Sequence, residues 1–266
     1  MSSCLSRLGA FLLITALVVP TPGHAEDVTV KTVSQAGYIF KFNLASADRP
    51  GIMVEMIHAL EKVDPGLHVI GLERSAPLSR VVSDLSDNVI DVFFGIAKTP
   101  ERIKQVRFVN KPFYSIQQAF AVRKGAKIDR TLLSRPDSLA KLNIPILVAG
   151  QTSQSAFLRT IDGVNVDETN GNTKACLQKL ASDRGDLAYG ALLALEEDAL
   201  SLDIRKDMDI IPVPYQTEFI YPSFSFRLSE EVVNRIVKDI ETISSNGMAD
   251  AIRAKYCGKI DCKLQD

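Results

Sequence analysis

Apolar residues along the chain alternate between runs typical of buried strands and runs with helical spacing. Strand patterns at 28–33, 67–72 and 88–95 are separated by helical patterns at 51–63 and 75–85. Strands that alternate with helices are typical of parallel α/β sheets. We therefore predict an α/β fold with a mainly parallel sheet and helices on both of its faces.

The same alternation starts again after an extended segment at 113–122. A short helix opens at 135, and the later patterns are strands at 144–148, 185–189 and 210–214 and helices at 155–161, 172–181 and 192–200. The chain then ends in purely helical patterns that begin at Ser229. A restart of this kind predicts two α/β lobes. In open α/β sheets ligands bind beyond the carboxyl ends of the strands, so we expect the ligand between the lobes.

Residues 1–25 have the features of a secretory signal peptide. Arg7 is followed by an apolar core at 8–19 and by Gly23-His24-Ala25, which has the small-residue pattern of a cleavage site. This core is shorter than the about 20 residues needed to span a bilayer, and no later stretch is long and apolar enough. We expect an exported protein that begins near Glu26 and does not insert into the membrane.

The charge of the mature chain is close to balanced. Removal of Arg7 leaves 30 basic and 32 acidic residues, a net charge of −2. This balance argues against nucleic acid or an anionic membrane as a partner. No zinc-ligand spacing, nucleophile elbow or glycine-rich phosphate loop is present in the sequence, so we expect no metal and no cofactor. We expect a monomer.

Three cysteines follow the signal peptide. Cys257 and Cys262 are separated by four residues in the polar C-terminal segment, and in an oxidising compartment this spacing favours a small disulfide loop. The alternative is two unpaired thiols. Cys176 has helical spacing with Leu177 and Leu180, which predicts a small buried apolar residue and not a reactive thiol.

The junction between an apolar strand and a helix at 92–102 is the most informative segment. Thr99 and Pro100 have the features of a helix start, with a hydroxyl at the N-cap and proline at the first position. Arg102 then lies in the first turn, where a cation opposes the helix dipole by roughly 0.3–1 kcal/mol. A bound anion would turn this unfavourable position into a favourable one, because it can bind both the guanidinium and the free backbone N–H groups. The alternative is a solvent-exposed surface arginine.

Residues 95–114, GIAKTPERIKQVRFVNKPFY, resemble the signature of the periplasmic solute-binding proteins of polar amino acid ABC importers. This is family 3 of the bacterial extracellular solute-binding proteins. The resemblance covers nearly all of the mature chain, with further matching segments at 51–56, 137–139, 184–188 and 246–256.

The resemblance implies a type II, two-lobed periplasmic binding protein fold with a ligand cleft between the lobes. In such proteins the first lobe is discontinuous, the second is continuous, and two crossover strands join them. The implied division is lobe I at 26–115 and 216–266, lobe II at 116–215, and crossover strands near 114–119 and 213–219.

The resemblance also implies roles for individual residues. Arg102 matches the arginine that pairs with the ligand carboxylate, and a planar guanidinium can bind a carboxylate through two parallel hydrogen bonds. Thr152 and Ser153 match a hydroxyl-rich loop that offers further donors, although an ordinary N-cap turn would have the same pattern. Tyr38 or Phe40 matches an aromatic residue that packs on the ligand, and a plain core or surface position is the alternative.

Three positions depart from the family pattern. Ala97 and Ala191 stand where the family commonly has a Ser or Thr and an Asp that bind the α-ammonium of an amino acid. Gln151 stands where a glycine usually precedes the hydroxyl pair. A buried ammonium without acceptors costs several kcal/mol, so a simple α-amino acid is disfavoured unless another acid replaces the missing groups. The candidate acids are Glu168, Glu196 and Glu218.

These observations predict a periplasmic protein that binds a small carboxylate-bearing or other anionic solute through Arg102 and delivers it to the permease of an ABC importer. The first alternative is an accessory or sensory binding module for a separate membrane or oxidoreductase partner. The second is an enzyme similar to cyclohexadienyl dehydratase. His58 and His68 are the histidines of the mature chain, and both patterns indicate packing or surface positions, which disfavours the enzyme.

Overall fold

The computed structural model describes residues 26–170 and 172–257. Up to residue 123 its elements are β1 (Val28–Lys31), β2 (Ser34–Gln35), α1 (Ile52–Val63), β3 (Leu67–Ile70), β4 (Ser75–Ala76), α2 (Leu78–Ser86), β5 (Val92–Ala97), α3 (Pro100–Ile103), β6 (Arg107–Phe108) and β7 (Tyr114–Arg123). The later elements are β8 (Ile146–Ala149), α4 (Ser153–Leu158), β9 (Val166–Thr169), α5 (Thr173–Ala181), β10 (Leu187–Ala191), α6 (Leu192–Ser201), β11 (Met208–Phe224), α7 (Glu230–Ser245) and α8 (Met248–Cys257). Short 3-10 helices lie at Arg130–Ser134, Pro136–Leu142 and Arg205–Asp207.

The strands form one mixed sheet and two short parallel pairs. The neighbours in the main sheet are β5, β11, β7, β10, β8 and β9 in that order, and β6 also pairs with β11. Strands β8, β9 and β10 are parallel, whereas β7 and β11 are antiparallel to their neighbours. The separate parallel pairs are β1 with β3 and β2 with β4. The α/β class is confirmed, but the prediction of a mainly parallel sheet is wrong, because two long antiparallel strands run through the middle of it.

Those two strands, β7 and β11, connect two lobes. Their register runs from Tyr114 opposite Ile220 to Arg123 opposite Met208, and it shifts between Pro212 and Thr217. Proline has no N–H for the ladder, so a proline in this stretch is compatible with the break in pairing. The predicted strand at 210–214 is thus part of a strand of 17 residues. Two lobes joined by two crossover strands confirm the predicted architecture.

The buried side chains form three clusters that follow these lobes. The first cluster draws on residues 30–116 and 220–256, with Ala191, Leu193 and Ala194 added from the start of α6. The other two lie on opposite faces of the second lobe's sheet, since Ala119 and Ala121 of β7 belong to one and the alternate residues Phe120 and Val122 to the other. The start of α6 therefore packs against the opposite lobe, and the two lobes are in contact.

Several element bounds differ from the sequence pattern. Strand β9 was not predicted, because Asp167 and Glu168 make it polar and only its parallel pairing with β8 holds it as a strand. Residues 75–76 were predicted as helix but pair with β2, and α2 begins after Pro77. Cys176 is buried, as predicted.

Two further findings concern the ends of the chain and the membrane. Cys262 lies outside the described residues, so the pairing of Cys257 with Cys262 stays a prediction. Within residues 26–170 and 172–257, no helix combines the length and apolar character needed to cross a membrane.

A cluster of half-buried Asp64 and Arg235 and buried Asp239 links the end of α1 to α7. Arg235 donates to both carboxylate oxygens of Asp64 at 2.5 and 2.8 Å. Asp239 lies one turn further along α7, and burial beside Asp64 raises the pKa of Asp239 to about 7. In the unfolded chain this carboxyl loses its proton near pH 4, so the folded state binds more protons between pH 4 and 7. Asp239 therefore lowers stability progressively as the pH rises through that window.

We expect Asp239→Asn to raise the free energy of unfolding by about 1–3 kcal/mol more at pH 8 than at pH 5, since a neutral amide avoids the penalty that grows across this window. Thermal or denaturant unfolding at both pH values measures this. Glu241→Gln, which changes a half-exposed acid on the same helix, is the control and should shift both values equally. An effect of Asp239→Asn that is the same at pH 5 and pH 8 would contradict the assignment.

Candidate functional site

The site begins at an irregularity in β5. Pairing with β11 joins Phe94 to Pro222 and Ile96 to Tyr221, so Gly95 is left without a partner in the ladder. Gly95 has a φ of +125°, and a Cβ there would lie 2.9 Å from the sulfur of Met53. Glycine suits this β-bulge for both reasons, and the bulge leaves the Gly95 carbonyl available to a side chain.

Arg102 is buried in the structure and lies between the lobes. Thr99 caps the short helix α3, and its Oγ1 accepts a hydrogen bond from the Arg102 N–H at 3.3 Å. The guanidinium donates to two backbone carbonyls. Nη1 donates to the Ala97 carbonyl at 3.1 Å and Nη2 to the Gln151 carbonyl at 3.2 Å. Arg102 is 8% exposed, so the solvent-facing alternative does not describe this arginine. Burial lowers the pKa of Arg102, and Glu218 and Tyr38 oppose that shift.

The loop opposite Arg102 joins β8 to α4. Gln151 has a φ of +60°, an uncommon left-handed conformation for a residue other than glycine. Thr152 is an N-cap: its Oγ1 accepts from the Ser155 N–H at 3.2 Å and donates to the Ala149 carbonyl at 2.7 Å. The Thr152 hydroxyl is thus used within its own turn. This agrees with the alternative of an ordinary capping turn.

Glu218 of β11 is the carboxylate of the site. Gln154 Nε2 donates to Glu218 Oε2 at 3.2 Å and to Gln118 Oε1 at 3.0 Å, and the Ser153 hydroxyl also hydrogen-bonds with Glu218. Burial raises the pKa of Glu218, and the bonds from Ser153 and Gln154 and the nearby cations oppose this. Gln118 is fully buried, and its Nε2 has no partner among the described residues.

The other two candidate acids differ in position, since Glu168 lines the groove beside Arg102 and Glu196 lies on α6. Glu168 forms an ion pair with Arg159 at 2.7 Å, and Glu196 forms one with Arg205 at 2.5 Å. Their carboxylates therefore already have cationic partners. His58 and His68 are both exposed.

Lys41 is a buried cation of the site that the sequence analysis missed. Its Nζ donates to the Gly95 carbonyl at 3.0 Å and to Gln35 Oε1 at 3.2 Å. Burial lowers the pKa of Lys41 to about 8, with Arg102 acting in the same direction and Glu218 against it. The available signal was a lysine between Phe40 and Phe42, in an aromatic loop that follows the predicted strand at 28–33.

Tyr38 and Phe40 lie beside this lysine. Their rings meet edge to face, with centroids 6.2 Å apart, and Lys41 Nζ lies 5.3 Å from the Tyr38 centroid and 5.8 Å from the Phe40 centroid. The Tyr38 hydroxyl hydrogen-bonds with Thr173 of α5 in the opposite lobe, and burial raises the pKa of Tyr38 to about 12, so the hydroxyl is neutral. Phe40 is also a member of the first core cluster.

These side chains enclose a central cavity of about 30 Å³ between the lobes. Its lining residues are Gln35, Tyr38, Phe40, Lys41, Leu78, Gly95, Ile96, Ala97, Arg102, Ile116, Thr152, Ser153, Gln154, Ala191, Glu218 and Ile220. An outer groove of about 980 Å³ adjoins it, and Leu78, Arg102 and Thr152 line both spaces. Arg102 therefore lies at the boundary between the enclosed interior and the groove.

The predicted site residues divide between these two spaces. The central cavity brings together Tyr38, Phe40, Ala97, Arg102, Thr152 and Ser153. Thr99 and Gln151 line the outer groove with Arg102. Both positions at which the family's ammonium-binding residues are lost, Ala97 and Ala191, line the central cavity, as does Glu218.

Solved structures of similar fold include proteins with different printed roles. A histidine kinase sensor domain similar to periplasmic binding proteins has 18% identity and a TM-score of 0.74, over 89% of this chain and 99% of that chain. An ancestral arginine-binding protein bound to glutamine has 21% identity and a TM-score of 0.70, over 87% and 98%. A putative L-cystine ABC transporter from Listeria monocytogenes has 13% identity and a TM-score of 0.70, over 90% and 99%. At such identities the likeness shows the fold alone.

Sequence comparison identifies the family. No curated protein sequence matches the chain significantly. The model of the bacterial extracellular solute-binding proteins, family 3, matches residues 33–259, which is most of the chain and includes every element of the site. The chain therefore belongs to the bacterial extracellular solute-binding proteins of family 3.

Proposed function

We propose that this protein captures a small carboxylate-bearing or other anionic solute in the periplasm by lobe closure and delivers it to an ABC importer. The observation that carries the proposal is the environment of Arg102. Its guanidinium is buried between the lobes, and its observed partners are two neutral backbone carbonyls. Among the described residues, none forms an ion pair with it. A buried cation without a carboxylate partner is a natural receptor for an anionic ligand.

The bonds of Arg102 also suggest how closure depends on the ligand. One carbonyl, of Ala97, belongs to the same lobe as Arg102, and the other, of Gln151, belongs to the opposite lobe. Without a solute, the loop at Gln151 meets only the Arg102 guanidinium when the lobes close. A solute carboxylate that is already bound to Arg102 in the open form would give this loop an anion to contact on closure. Binding energy that is realised only in the closed form shifts the population toward closure.

Two further contacts stabilise the closed arrangement. Asn172 Nδ2 donates to the Gly37 carbonyl at 3.2 Å, and Arg49 pairs with Glu197 of α6 at 3.1 Å. The Arg49 pair is largely exposed, so we expect it to contribute little. Closure in this proposal is therefore governed by the ligand and not by surface ion pairs.

The proposed lobe bounds are those expected from the sequence, with lobe I at 26–115 and 216–266 and lobe II at 116–215. The division of the core clusters near residues 116 and 220 supports them.

Export through the signal at 1–25 belongs to the same proposal. Genes for a permease and an ATPase beside the gene of this chain would support delivery to an importer, whereas a neighbouring sensor kinase or dehydrogenase gene would favour an accessory or sensory module.

We expect Arg102→Ala to weaken binding of the solute by about 10- to 100-fold, from the roughly 1.5–3 kcal/mol that a hydrogen bond to a charged group contributes. A thermal-shift screen of small carboxylates followed by titration calorimetry measures it. Arg102→Lys keeps the charge without the planar fork and should give an intermediate affinity.

The matched control for this experiment is Arg107→Ala. Arg107 also donates to a backbone carbonyl, that of Leu228, at 2.8 Å, but it lies outside the cleft. Its substitution should lower thermal stability and leave affinity unchanged. If Arg102→Ala binds the solute as tightly as the unaltered protein, the proposed role of Arg102 is wrong.

We further expect the bound solute to be recovered chemically unchanged, because both histidines of the mature chain are exposed and away from the cavity. The measurement is mass spectrometry after long incubation with a carboxylate panel that includes a prephenate-like cyclohexadienyl acid. Turnover that disappears in Arg102→Ala and Glu218→Gln would show an enzyme and overturn this part of the proposal.

A further inference from the structure

The central cavity holds two cations and one anion. Lys41 and Arg102 are each less than 10% exposed, and among the described residues Glu218 is the one acid that lines the cavity with them. The Tyr38 hydroxyl is neutral, and the other polar groups of the lining are amides and hydroxyls. With all three groups ionised, the cavity carries one positive charge in excess. Burial affects this excess in two opposite ways, since the raised pKa of Glu218 favours a larger excess and the lowered pKa of Lys41, about 8, favours a smaller one.

The backbone of β5 holds the two cations near each other. Lys41 donates to the carbonyl of Gly95 and Arg102 to that of Ala97, two residues further along the strand. The Cα atoms of these two residues can be no more than about 7 Å apart. An ammonium has three N–H donors, and the hydrogen bonds of Lys41 to Gly95 and Gln35 use two of them. The third donor is available to a ligand.

We propose that Lys41 is a specificity-determining residue of the ligand site and that, together with Arg102 and Glu218, it selects solutes with a net charge of −1. This inference rests on the proposed function, because it concerns the same cavity. An uncompensated buried charge is costly, so the favoured ligand is the one that neutralises the excess when the lobes close. An uncharged or zwitterionic solute leaves the excess in place, and a cationic solute doubles it.

Two kinds of solute meet this condition. In a cavity widened from its present volume of about 30 Å³, an acidic amino acid has two carboxylates for the two cations and an ammonium for Glu218, which would then act as the acceptor that Ala97 and Ala191 lack. A monocarboxylate without an ammonium has the same net charge and leaves Glu218 with its bonds from Ser153 and Gln154. The shared chemistry is one negative charge in excess, and the experiment separates the two kinds.

The test uses solute pairs that differ in charge and hardly in shape: aspartate with asparagine, glutamate with glutamine, and lactate with lactamide. Titration calorimetry on the full mature protein at pH 7 gives the affinity ratio within each pair. We expect the charged member to bind at least tenfold more tightly in at least one pair. Preference within the first two pairs identifies an acidic amino acid, and preference in the third alone identifies a simple monocarboxylate.

Substitution of Lys41 should reduce that ratio. We expect Lys41→Met to lower it at least fivefold and Lys41→Arg, which keeps the charge, to retain it. Lys98→Met is the matched control. Lys98 also lies over an aromatic ring, 4.1 Å from the Tyr221 centroid, and bonds to Asn110, but it does not line the cavity. Its substitution should leave the ratio unchanged.

Glu218→Gln tests the charge balance in the opposite direction. It raises the positive excess to two, so the variant should gain at least fivefold for malate, with a charge of −2, relative to aspartate, with a charge of −1. The Glu218→Gln variant also tests the inference if Lys41→Met does not fold.

The outcomes separate the inference from the proposed function. Equal affinity within every pair, or a ratio that Lys41→Met leaves unchanged, would overturn the selection by charge while Arg102-dependent binding still stood. Failure of the unaltered protein to bind any member of the three pairs would count against both.

Discussion

The burial of the Arg102 guanidinium between two lobes is the constraint on which the site depends. An arginine remains charged in a protein, so its donors must find partners wherever it is buried. Here two of them are met by carbonyls, of Ala97 in one lobe and Gln151 in the other. Arg102 therefore obtains acceptors for two of its donors and at the same time links the two lobes. Because neutral carbonyls are weaker acceptors than a carboxylate, these two bonds compensate the buried charge only in part.

The other charged groups of the cavity come from different parts of the chain, and each is held by a local feature. Lys41 lies in the aromatic loop before α1 and bonds to a carbonyl that the bulge at Gly95 leaves unpaired. Glu218 lies on β11, close to the point at which this crossover strand changes its register with β7. The acid of the site is thus part of the connection between the lobes.

The sequence pattern predicted most elements of this fold, because strands buried on both faces and amphipathic helices carry their signal locally. The pattern failed where pairing with a strand distant in sequence determines whether a segment is a strand and how long it is. Strand β9 is polar at Asp167 and Glu168 and is a strand because β8 lies beside it. The mainly parallel sheet was wrong for a related reason: β11 reads as a short strand in sequence, and its length of 17 residues follows from successive pairing with β7 and β5.

The same contrast between local patterns and contacts distant in sequence applies to the site. The strand-to-helix junction at Thr99 and Arg102 could be found from sequence, because a cap, a proline and a cation in the wrong turn form a local pattern. The position of Lys41 could not, since its burial depends on a carbonyl 54 residues away. Matching to the family pattern examined the two positions now occupied by Ala97 and Ala191 and indicated that the acceptors for an ammonium were lost. One of the three acids that the sequence offered in their place, Glu218, lines the same cavity in three dimensions. The chemistry of such a cleft is therefore judged from its total charge and not from the identity of two aligned residues.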